Sequence, residues 1–194
     1  MHRRRIVQGV AATVTAALLP SSARTVTVPD SATDYASAFW SPADPANYTV
    51  PSHPSDRRVD RVIIHVAQQL FTPTAGIFRN PAQQVSAHYV VRSGDGLVAQ
   101  CVREKDIAWH AGNWDWNTRS VGIEHEGWVD RPEFFTDVMY RRSAVLTADI
   151  CARHGIPRDR EHIVGHHEVP GSDHTDPGVL WDWDRYLLLV AAAG

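Results

Sequence analysis

Apolar residues along this chain fall into two textures: short β-branched runs and longer segments at helical spacing. "RVIIHVA", Arg61 to Ala67, is a run of the kind that forms a buried strand, and it carries His65 near its end. "SAHYVVR", Ser86 to Arg92, reads as a second strand. "SGDG", Ser93 to Gly96, supplies a turn, and "LVAQCV", Leu97 to Val102, returns as the hairpin partner. A third strand is predicted over "SVGIEHEGW", Ser120 to Trp128. Strict alternation there sets Val121, Ile123 and His125 on one face and Gly122, Glu124 and Glu126 on the other.

Beyond Pro132 the period changes. Phe134, Val138, Met139, Leu146 and Ile150 recur at helical spacing, which predicts a long helix over Glu133 to His154 closed by Gly155 and Pro157. "HIVGHH" reads as a further strand, and Trp181 to Ala193 as a terminal helix anchored by Trp181 and Trp183. Strands interleaved with helices predict an α/β fold, a single domain with one central mixed sheet flanked by helices.

The chain before this block has a different character. "MHRRRIVQGVAATVTAALLPSSA" joins a basic start to an apolar run from Ile6 to Leu19 and small residues at Ser21 and Ala23, the three-part pattern of a secretory signal. The run is too short to span a bilayer, so no membrane insertion is expected after cleavage, and a twin-arginine route is also compatible with Arg3 to Arg5. Residues 24 to 58, with five prolines among Ser, Thr and Asp, read as an extended arm that packs by Phe39, Trp40 and Tyr48. The domain proper is then expected over residues 59 to 194, with the product secreted or held at the cell wall.

Charge narrows the partners. The 194 residues carry a formal net charge of −3, and loss of the signal removes three arginines and no acid. A mildly acidic chain is a poor phosphate binder, so nucleic acid is excluded as a partner. Cys101 and Cys151 are the two cysteines. In an oxidising compartment they could form one bridge, or remain buried thiols, and the sequence does not choose.

"GHHEVPGSDHTDPG", Gly165 to Gly178, gathers three histidines with Glu168, Asp173 and Asp176 between turn-forming prolines and glycines. Such a stretch is an ordinary surface loop unless another segment supplies a partner. His65, alone on an apolar strand, is by itself more often a satisfied core residue. Taken with His166 and Asp176 it makes two imidazoles and one carboxylate, a set that suits zinc with a position left open. On chemistry alone, His167 and His174 compete with His166.

Four blocks, "VIIHVAQ", "VSAHYVVRSGDG", "IAWHAGNWDWNTRSVGIEHEG" and "VGHHEVPGSDHTDPG", resemble in order the type 2 N-acetylmuramoyl-L-alanine amidases, the zinc family that includes phage lysozyme-like amidases and peptidoglycan recognition proteins. The resemblance implies a zinc site in a surface cleft with ligands His65, His166 and Asp176. The carboxylate ligand places the chain near the bacterial muropeptide amidases rather than members with cysteine there. Glu124 matches the family acid that activates water. His174 stands where many members carry a lysine that stabilises the oxyanion, a departure that makes this role dependent on a histidine. Ala87 stands where some members have a tyrosine, which leaves the base role to Glu124, and His88 resembles a recurrent supporting histidine.

Trp109, His110, Asn113 and Trp114 look like a cleft wall for sugar and peptide, although Trp109, like Trp116, equally suits a core. The implied activity is zinc-dependent cleavage of the amide between N-acetylmuramic acid and L-alanine in peptidoglycan or muropeptides. The alternative is a non-catalytic peptidoglycan-binding module, whose mark would be a lost ligand or acid; none is lost. A helical zinc-peptidase motif, His-Glu-x-x-His, is absent, and "HHEVP" is broken by Pro170.

Overall fold

A computed structural model describes residues 33–54 and 57–193; the signal reading of residues 1–23 and the first part of the arm lie outside the described residues. In chain order the elements are β1 (Phe39–Trp40), β2 (Tyr48–Thr49), β3 (Arg61–Val66), α1 (Phe71–Phe78), β4 (Tyr89–Val91), β5 (Val98–Gln100) and β6 (Ile107–Ala108). They continue with α2 (Trp114–Arg119), β7 (Ser120–His125), α3 (Asp137–His154), β8 (Ile163–Gly165) and α4 (Trp183–Ala192). The principal sheet runs β1-β5-β4-β7-β3-β8, and β2 pairs with β6 in a small second sheet. β3 lies parallel to both β7 and β8, β7 parallel to β4, and β4 antiparallel to β5.

The alternation read in β7 holds, and β3 is the buried strand expected. Val62, Ile64, Val121 and Ile123 join Met139, Leu146 and Ile150 of α3 and Tyr186 and Val190 of α4 in the largest core cluster. Ile63, on the opposite face, packs with Ala111, Val164 and Val169. Trp181 is buried against Tyr140 and Tyr186 and anchors α4 as expected. Among the described residues no helix is long and apolar enough to cross a membrane.

Several expectations shift in detail. The long helix begins one turn later than predicted, at Asp137, because the Thr136 hydroxyl accepts from the Met139 amide and caps it; Pro132–Phe134 forms a separate 3-10 turn. Its end is where Gly155 permits it, at φ 67° in the left-handed region. α1 was not legible, since Pro73 and Gly76 read as breakers, yet Pro73 falls in the first turn, where no helical N–H is required. The arm is bound by backbone pairing as well as by its aromatic rings: β1 adds to β5, and β2 to β6. Cys101 and Cys151 are buried, unpaired thiols in different core clusters, and burial pushes them up to about 12 and about 11. Neither is reactive near neutral pH.

Candidate metal centre and active site

In a sheet of parallel strands, side chains at the carboxyl ends converge on one edge. Here the register sets His65 of β3 beside Glu124 of β7, and β8, on the other side of β3, runs directly into a 3-10 turn whose first residue is His166. The following loop brings Asp176 back over this edge. One ligand atom from each of His65, His166 and Asp176 lies within 4.8 Å of the others, and all three residues are buried. His65 Nδ1 is 3.3 Å from Asp176 Oδ2, and His166 Nδ1 is 3.2 Å from Asp176 Oδ1.

The three histidines of the loop separate cleanly. His166 is inside. His167 is exposed and donates from Nδ1 to the Asp176 carbonyl, as does its backbone amide, so it braces the loop instead of joining the cluster. Gly165 makes room for that brace, because a Cβ there would sit 2.7 Å from the His167 ring and from Pro177. His174 stands at the rim, half exposed, with its ring stacked on His166 at 4.0 Å and its Nδ1 3.6 Å from Asp176 Oδ1.

The two glutamates of "EHE" also part company. Glu126 is satisfied: its oxygens accept from the Phe71 amide at the start of α1 and from the Ser93 amide. Glu124 Oε2 is buried with no protein partner. Burial, and then the nearby Asp176 carboxylate, push Glu124 well above the usual carboxylate range. Asp176 goes the other way. Burial opposes its ionisation, but the His166 imidazole beside it outweighs that and holds it far below its ordinary value. Burial likewise keeps His65 below the usual histidine value despite Asp176.

A cleft of about 360 Å³ opens over this cluster, lined by Glu124, His166, His174 and Asp176 together with Trp109 and His110. Gln68 and Gln84 also line it, and both hold positive φ, 55° and 51°, a conformation uncommon for residues with side chains. Trp109 anchors its indole N–H on Thr49 Oγ1, 3.0 Å away. Asn113 and Trp114 stand outside the lining. Asn113 caps α2 through Oδ1 and donates to the Pro170 carbonyl, while the Trp114 side chain is exposed nearby.

His110 lines the cleft and also reaches behind His65. Its Nδ1 is 3.0 Å from His65 Nε2 and its Nε2 is 3.3 Å from Ser120 Oγ. Burial first, then the neighbouring imidazoles, keep it neutral. Ser120 and Asn117 were not singled out by sequence, because a serine at a strand start and an asparagine in a short helix carry no signal until the register brings them to His110. His88 is structural: Nδ1 accepts from the Gly122 amide and Nε2 donates to the Asp106 carbonyl.

The residues present fit a metal. A buried His166 Nε2 has no protein partner, and two imidazoles with one carboxylate form a borderline-soft donor set of the kind zinc takes.

The arrangement is that of a hydrolytic α/β domain with its site at the strand ends, and solved structures share it. The crystal structure of a selenomethionine derivative of AmpD superposes with a TM-score of 0.65 at 27% identity, covering 80% of this chain and 96% of that one. AmiD from E. coli, solved with anhydro-N-acetylmuramic acid-L-Ala-D-γ-Glu-L-Lys, superposes at 0.59 with 28% identity over 68% of this chain and 57% of that one. N-acetylmuramoyl-L-alanine amidase A of Achromobacter lyticus is 34% identical over 180 residues, 84% of this chain and 98% of that protein. Residues 55–179 match the N-acetylmuramoyl-L-alanine amidase family pattern, and the chain belongs to that family.

Proposed function

We propose that this protein is a zinc-dependent amidase that hydrolyses the bond between the lactyl group of N-acetylmuramic acid and L-alanine in peptidoglycan or its muropeptides. The observation that carries the reading is the convergence of three side chains able to ligate a metal, two of them lining the cleft, with a cleft-lining glutamate whose buried Oε2 has no protein partner. His65, His166 and Asp176 would hold the zinc. Bound there, zinc supplies Lewis acidity toward a carbonyl oxygen and toward water.

The chain's own groups do the rest. Glu124, free of protein hydrogen bonds at Oε2, takes a proton as water oxygen bonds to the carbonyl carbon, and returns it to the leaving nitrogen as the C–N bond breaks. The products are a lactyl carboxylate and a free alanine amine. His174 at the rim donates a hydrogen bond to the oxygen on which negative charge develops. Trp109 walls the cleft for the substrate.

Export belongs to the same reading and rests on the pattern of residues 1–23 alone. It is checked by the N-terminal mass of protein recovered from culture medium.

The test is release of alanine N-termini from purified peptidoglycan by the zinc-loaded protein, the chelated protein and Glu124→Gln. Termini are expected with zinc only, and to fall about a hundredfold or more in the variant, the size of a general acid–base contribution. Wall binding without any release would leave a recognition module in place of an enzyme.

A further inference from the structure

The hydrogen-bond chain behind His65 has a direction, and that direction can be worked out atom by atom. Ser120 Oγ lies 2.6 Å from the Trp116 carbonyl oxygen, to which it donates its single hydroxyl proton. Toward His110 Nε2, 3.3 Å away, Oγ can then only accept. His110 Nε2 must therefore carry a proton, which in a neutral ring leaves Nδ1 bare. His65 Nε2, 3.0 Å from that bare nitrogen, is in turn the donor. A neutral His65 with its proton on Nε2 has a lone pair at Nδ1, and that atom faces Asp176 Oδ2 at 3.3 Å. Two acceptors pointed at one another are a gap that a cation fills.

The relay is held rigidly. The His110 and Ala111 amides both donate to Asn117 Oδ1, which fixes the backbone behind the ring. The ring lies directly over Gly122, where a Cβ would come within 2.5 Å of it. The other nearby imidazole, His88, has both nitrogens committed elsewhere and meets His110 only through ring packing at 5.6 Å.

We propose that Trp116, Ser120 and His110 form a polarised relay that locks His65 in the Nε2–H form, so that its Nδ1 lone pair is aimed at Asp176 before a divalent cation arrives. His110 is thus a positioning residue for the metal and acts through His65. This rests on reading the cluster as a zinc centre. Partners that orient a ligating histidine typically contribute ten- to a hundredfold in metal affinity.

The experiment has two arms, neither of which needs turnover. In the metal-free protein, nitrogen NMR of ¹⁵N-labelled histidine is expected to show both His65 and His110 protonated at Nε2 and bare at Nδ1. In competition with a chromophoric chelator, His110→Phe, which keeps a ring over Gly122 but has no acceptor, is expected to bind zinc about ten- to a hundredfold more weakly. His110→Asn, whose amide oxygen falls where Nδ1 was, is expected to stay within a few-fold of the parent, and Ser120→Ala to lie between. A His65 protonated at Nδ1 overturns the proposal, as does a His110→Phe variant with undiminished zinc affinity or a His110→Asn variant as weak as it. Should His110→Phe not fold, the parent spectrum and Ser120→Ala still decide. If these results hold but the wild type releases no alanine, the amidase reading fails and the relay stands; cleavage by a wild type whose His110→Phe variant keeps its affinity fails the relay alone.

Discussion

Two sets of buried histidines occupy the same sheet. His88 and His125 are as deeply buried as His65 and His166, yet their chemistry is closed. His125 donates from Nδ1 to the His65 carbonyl and meets Ser143 at Nε2, and Ser143 and Thr147 both reach the Tyr186 hydroxyl, so a polar thread crosses from the sheet to α3 and α4. Burial lowers both His88 and His125 to about 3. At the strand ends, by contrast, acceptors face acceptors and two buried atoms, Glu124 Oε2 and His166 Nε2, are left over. What separates a site from a core here is where the hydrogen-bond pairing stops, since residue type and burial are the same on both sides.

The sharpest way to break that contrast is at Asp176. Asp176→Ala is expected to abolish zinc stoichiometry and to lower alanine release by about a thousandfold or more, as loss of several kcal/mol of metal-derived stabilisation requires. A variant that still binds zinc at full stoichiometry would remove Asp176 from the site.

On the closed side, His125→Leu should act on stability. It removes the hydrogen bonds from the His125 ring to the His65 carbonyl and the Ser143 hydroxyl, which costs about 2 kcal/mol and lowers the midpoint of thermal unfolding of the metal-free protein by roughly 4–8 °C. An unchanged midpoint would mean that the thread contributes nothing to folding.

His174→Ala tests the rim between the two. Loss of one half-exposed donor is expected to lower turnover about tenfold, with little change in zinc affinity. Turnover equal to wild type from mildly acidic to mildly basic pH would end the oxyanion role.

The smallest effect concerns a third buried cluster, remote from the cleft. Burial alone would raise Glu104, but hydrogen bonds from His154, Arg153 and the Tyr89 hydroxyl prevail and bring it to about 2. A depressed carboxyl stabilises the fold above its unfolded value near 4.5 and loses that contribution as pH falls toward 2. Denaturant unfolding of the wild type should therefore lose about 1 kcal/mol more than Glu104→Gln between pH 6 and pH 3.5. Parallel losses in the two proteins would contradict the assignment.

The sequence made β3, the β4–β5 hairpin, β7, β8 and the two long helices legible because their periods are unbroken. It left α1 and α2 unread, since Pro73 and Gly76 interrupt one and the other is a single short turn-rich segment between aromatics. β1, β2 and β6 are two residues each and exist only through their partners. For the site, resemblance alone singled out His166 from His167 and His174; the deciding fact, that His167 turns back onto the Asp176 carbonyl, is a loop geometry that no pattern of residue types encodes. In the same way nothing in "AWHAGN" reveals that this cleft histidine is also wedged over Gly122 against His65.

The order of strands in the sheet carries a consequence for synthesis. β3, which brings His65, sits beside β8, the latest in chain order of the described strands, and Asp176 follows later still. A nascent chain can build the hairpin and β7 early, yet the cluster of His65, His166 and Asp176 is incomplete until residue 176 has been made. A chain released before Asp176 would keep the strands of the principal sheet and lack the carboxylate of the cluster, so under the proposed function premature termination yields inert fragments.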